Sequence, residues 1–190
     1  MDMFEYIAVL TSIIIGLGIA HLLRGVVSVI QQSDRHRPYW VHLLWVLNLF
    51  FNLVFWWWWE FRLGTIETWT LPIYLFVILY AVVLFLACAM MFPTNMEDFD
   101  GYRGYFYARR KWFFGLIGVL FFIDVGDTAI KGGDYISSLG VEYLALTLLQ
   151  AGLCFAAMFI RSERFHALFA VLMLAYLVSW ALRQFAVVAV

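Results

Sequence analysis

VHLLWVLNLFFNLVFWWWW, residues 41–59, contains no carboxylate, lysine or arginine and closes on four consecutive tryptophans. A helix rising ~1.5 Å per residue needs roughly 20 apolar residues to cross a ~30 Å hydrocarbon core. Tryptophan collects where that core meets the headgroups, so the stretch reads as a membrane span with an interfacial end. Working outward, apolar runs bounded by charge or proline predict six spans, at about 5–30, 40–60, 71–92, 111–131, 137–160 and 166–188. The fourth has the least certain limits, because Asp124, Asp127 and Lys131 interrupt its end.

Composition agrees with this reading. Apolar residues make up 65% of the 190 positions and charged residues only 13%, far from the ~45–50% and ~25% of a soluble domain. A net charge of −1 argues against nucleic acid as a partner, which calls for a clustered basic excess, and leaves the bilayer as the surroundings. The connections are short, apart from residues 93–110, so the expected fold is one all-α membrane domain of six helices spanning 1–190. The first span lacks a basic leader and is too long for a signal-peptide core, so it is expected to remain in the protein.

Positive charge is distributed unequally between the ends of these spans. With the amino terminus outside, Arg35, Arg37, Arg103, Arg109, Arg110, Lys111, Arg161 and Arg164 fall on the cytoplasmic side, and Arg62, Lys131 and Arg183 on the other. This bias predicts both termini outside, in the periplasm if the membrane is a bacterial inner membrane.

Four polar or small-residue clusters stand out from the apolar background. On the first span, Gly18, His21, Gly25 and Ser28 share one face, and Gly16 and Ala20 form a second small ridge leading to Arg24. Small residues let membrane helices approach closely, which predicts packing within the bundle, with a second copy, or with a partner membrane subunit. His21 is the better functional candidate of the two ionisable groups, because Arg24 lies near enough to the span end to snorkel.

On the fourth span, Asp124, Asp127, Thr128 and Lys131 lie on one face, and the Asp127–Lys131 spacing suits an i,i+4 ion pair. Asp124 is left needing a partner, for which Glu142 and Arg183 are available on the same predicted side. On the second span, His42, Trp45, Asn48, Asn52, Trp56, Trp59 and Glu60 form one stripe, in which Asn48 and Asn52 stack one turn apart near mid-membrane, where unpaired amides are costly. The fourth cluster, MEDFDGYRGYFYARRKW at 96–112, is expected to anchor a loop at the headgroups through Tyr102, Tyr105, Tyr107, Arg109, Arg110 and Lys111.

No nucleotide-binding, zinc-protease or serine-hydrolase motif occurs, and no catalytic residue set is assigned. No cofactor is predicted. A haem b held by His21 with His42 or His166, or a copper site using His21, Cys88 and Cys154, are the weaker alternatives. The leading functional expectation is a channel or transporter for an ion or small solute, with a pathway along Asn48, Asn52, Asp124 and Asp127. The alternative is a non-catalytic scaffold subunit in which the same groups bond helices together, and a haem- or metal-binding membrane protein comes third.

Overall fold

In a computed structural model of the protein, which describes residues 3–66 and 68–185, the chain is all helical. The helices are α1 (Met3–Gln31), α2 (Trp40–Glu60, continued by a 3-10 turn at Phe61–Thr65), α3 (Leu71–Ala89), α4 (Gly101–Ile130), α5 (Gly133–Ser138), α6 (Gly140–Ala157) and α7 (Glu163–Phe185). All except α5 are long and apolar enough to cross a membrane. Residues 186–188 of the sixth expected span lie outside the described residues.

Packing order follows from where each helix carries its buried stripe. The buried residues of α1, Ile7, Thr11, Ile15, Gly18, Leu22, Gly25 and Val29, recur every three or four positions and form one face. That face lies mainly on α3, which packs on α4, which packs on α6, while α2 pairs with α7. Gly18 and Gly25 belong to this face: a Cβ at Gly18 would touch Leu53 of α2 at 3.3 Å and Cys88 of α3 at 3.7 Å, and one at Gly25 would run into the Phe92 ring just beyond α3. Gly16 and Ala20 lie on the exposed face, and nothing comes within 4 Å of a Cβ built on Gly16. Ser28 accepts a hydrogen bond from Gln32 Nε2 at 3.1 Å.

The fourth span is longer than the expected 111–131, and residues 101–110 are not a loop. At 30 residues α4 extends ~45 Å, well beyond a ~30 Å hydrocarbon core. Its first turns are amphipathic: Tyr102, Tyr105, Phe106 and Arg110 are buried, and Arg103, Arg109 and Lys111 are exposed. Tyr102, Tyr105 and Arg110 are therefore packed against protein instead of anchoring a loop at the headgroups. Tyr105 donates to the Met90 carbonyl at 2.7 Å. Charge at one side of an amphipathic helix had the appearance of a span boundary.

The two ends of the bundle differ in chemistry. Toward the end carrying His42 and His166, Trp45 meets Phe113, Phe114 and Phe169 edge-on at centroid distances of 5.5, 5.0 and 5.3 Å. His166 stacks on Phe114 at 5.2 Å. Such contacts suit helices that associate in lipid by close packing, without a hydrophobic difference to drive them together. At the opposite end α4 stops where Gly132, at φ +119°, takes a conformation that a side chain would resist. The chain then folds through α5 and turns again at Gly140, at φ +72°, into α6.

The seam predicts a contrast between two glycines on α1. Gly25→Ala should lower the thermal unfolding midpoint in detergent, at a cost of ~1–3 kcal/mol for overpacking against Phe92. Gly16→Ala should leave the midpoint unchanged or slightly raised, since alanine is the better helix former. Equal effects would contradict the assigned packing face.

Candidate functional site

Lys131, at the C-cap of α4, is the centre of the most deeply buried charge cluster. Its Nζ lies 2.9 Å from Glu60 Oε1, at the last residue of α2, and also pairs with Asp127 Oδ2 one turn back on α4. Their side chains are only 2–3% exposed. The expected i,i+4 pair is present, and Glu60 joins it from 71 residues away in sequence. Among the described residues Glu60 Oε2 and Asp127 Oδ1 have no hydrogen-bond partner, so one ammonium faces two acids.

Asp124, one turn deeper on α4, has different partners from those the sequence suggested. Tyr80 of α3 donates to Oδ1 at 3.0 Å and Tyr143 of α6 donates to Oδ2 at 2.8 Å. Thr128 Oγ1 lies 2.8 Å from the Tyr143 hydroxyl, extending the chain of hydroxyls. Glu142 and Arg183 do not complete this network: they pair with each other through two contacts, at 2.7 and 3.0 Å, on the exposed flank between α6 and α7. Their positions outside the bundle interior explain the correction, since a bidentate pair forms there without desolvation.

Lys131, Asp124, Thr128, Tyr80 and Tyr143 border a cavity of about 170 Å³ between α2, α3, α4, α6 and α7, whereas Asp127, expected on the pathway, is turned to Lys131 and is not among its lining residues. It reaches from Trp45, Asn48 and Asn52 to Lys131 and Arg62, and Asp124 forms part of its wall. Asn48 Nδ2 donates to the Leu44 carbonyl at 2.9 Å and to the Ala170 carbonyl on α7 at 3.1 Å, so its amide also bonds α2 to α7. The 3-10 turn and α5 lie at the Lys131 end, where the Arg62 guanidinium sits 4.3 Å from the Tyr135 ring centroid. Burial raises the Tyr135 hydroxyl above its ordinary range, so that ring meets Arg62 as a neutral phenol.

The remaining expected residues are dispersed. His21 and His42 both flank the Phe92 ring, at 6.2 and 5.2 Å, and His42 Nε2 is bonded to the Met91 carbonyl at 2.6 Å. His166 Nε2 is bonded to the Ile160 carbonyl at 2.9 Å. Arg24 is exposed on α1. Cys88 and Cys154 are both free and 0% exposed. Among the described residues, no three His, Cys, Asp or Glu side chains come together as a metal-ligating group.

Removing the central cation tests whether the buried triad holds the cavity wall. Lys131→Met leaves two buried acids without their base and should destabilise the protein by ~3–5 kcal/mol in reversible unfolding. Adding Glu60→Gln and Asp127→Asn to Lys131→Met should recover much of that loss; a single variant as stable as the parent would contradict the assigned role. Comparison with family models, with curated proteins and with solved structures returns no match, so the site rests on its own geometry.

Proposed function

We propose that this multipass membrane protein is a small-solute transporter that binds its solute in the cavity between α2, α4, α6 and α7. The observation that carries the reading is the cavity itself: it runs past both Asn52 and Asp124, two of the polar groups expected to line a pathway. Its inner end meets the aromatic cluster of Trp45, Phe113, Phe114 and Phe169. Packed rings at that end fit alternating access better than a standing pore. With the orientation given by the Lys/Arg bias, the mouth beside Arg62 faces outward, to the periplasm of a bacterial cell.

A scaffold role is the second reading. It is favoured by the exposed small ridge of Gly16 and Ala20: among the described residues nothing lies within 4 Å of a Cβ built on Gly16, so the ridge offers a close-packing surface to a second copy or a partner subunit. In that case the polar groups serve as bonds between helices and the cavity stays closed to solutes.

Cysteine accessibility separates the two. Cys88 and Cys154 are sealed, which gives an unreactive background. Asn52→Cys should be modified by a membrane-impermeant thiol reagent applied to the outer face of intact cells, while Leu53→Cys, at a position 0% exposed, should not. Asn52→Cys that reacts only after the protein is unfolded would favour the scaffold and end the transport reading.

A further inference from the structure

We infer that the cavity takes a small organic ammonium ion, with its N–H groups on Asp124 and its apolar body against the aromatic wall. This deepens the solute-binding reading above and rests on it.

Charge supplies the first argument. Asp124 has no ion-pair partner among the described residues, and both of its oxygens accept from tyrosine hydroxyls, at 3.0 and 2.8 Å. Those donors fix the carboxylate in the cavity wall, while an ionised carboxylate has about four acceptor sites and so retains capacity for a ligand. The two cations bordering the cavity are already engaged. Lys131 is held between Glu60 and Asp127, and Arg62 lies over Tyr135 at the mouth. A charge left unpaired in a membrane interior is costly, and a cationic ligand would supply its partner.

Hydrogen bonding points the same way. The Asn48 amide has both N–H donors committed, to the Leu44 and Ala170 carbonyls, so the group it has left for a ligand is its carbonyl oxygen. Asp124 and Asn48 are thus two acceptors in one cavity. A ligand bonding to either of them is a donor, which an N–H ammonium is and a carboxylate or phosphate is not.

The walls account for the rest of the ligand. Trp59, Tyr176 and Trp180 line the cavity beside Tyr80 and Tyr143, and aromatic faces attract cations as well as apolar groups. A volume of about 170 Å³ is close to the ~150 Å³ of an apolar cavity known to admit benzene, which limits the ligand to about the size of benzylammonium.

The test is calorimetric titration of the full chain in lipid nanodiscs with methylammonium, benzylammonium, benzyl alcohol and benzoate. Benzylammonium should bind at least ~10-fold more tightly than the alcohol or the benzoate. It should also protect Asn52→Cys from the impermeant reagent. Asp124→Asn should abolish the preference for the cation and Asp124→Glu should retain it. If either variant fails to fold, the charge series on the unmodified protein still decides. Equal affinity for the alcohol, tighter binding of benzoate, or no binding of either ammonium would overturn the inference. If Asn52→Cys is labelled from outside while the ammonium shows no advantage, only the ligand class falls; if it is sealed, the transport reading falls as well.

Discussion

The ammonium of Lys131, held between Glu60 and Asp127, is the interaction on which the cavity end of the bundle depends. Two carboxylates and a lysine cannot be removed from water separately at acceptable cost, but together the shared ammonium offsets part of the cost of burying both acids. Because Glu60 ends α2 and Lys131 caps α4, the unit fixes the ends of two helices that border the cavity. It also consumes the nearest base. Asp124, one turn further in, is consequently left to hydroxyl donors from α3 and α6, and its charge remains available to the cavity.

The remainder of the molecule divides along its length according to how each half compensates for the weak drive toward helix association in lipid. Toward Lys131 the helices are joined by hydrogen bonds and charge, which need room and leave a cavity. Toward His166 they are joined by edge-on aromatic packing, which fills the interior and closes it. Asn48 stands at the junction, bonding α2 to α7 just beside Trp45 and its ring partners. The seam of α1 on α3 is a separate device: Gly18 and Gly25 permit close approach, and they contribute nothing to the cavity lining.

Much of this was legible in the sequence for physical reasons. Membrane spans announce themselves through length and apolarity, and Asp127–Lys131 through helical spacing. Glu60 falls on the same stripe as Asn48 and Asn52, but its partner was not legible, because that base lies 71 residues away and helical spacing relates only near neighbours. The partners of Asp124 were sought among charges, whereas they are tyrosines within apolar runs, where a hydroxyl leaves little trace in hydropathy. The start of α4 was misplaced because Arg103, Arg109 and Lys111 mask the buried stripe of Tyr102, Tyr105 and Phe106 on the opposite face. On α1 two small ridges were equally visible. Only the neighbouring helix distinguishes Gly18 and Gly25, which are packed, from Gly16 and Ala20, which are not.

A transporter built on this cavity must at times open at its aromatic end. Spin labels at Arg109 on α4 and Leu168 on α7, both exposed near the aromatic cluster, would report that opening as an inter-label distance in nanodiscs. The account predicts a second, longer distance whose population changes with added solute or pH. One narrow distance under every condition would contradict it and identify the bundle as a rigid body.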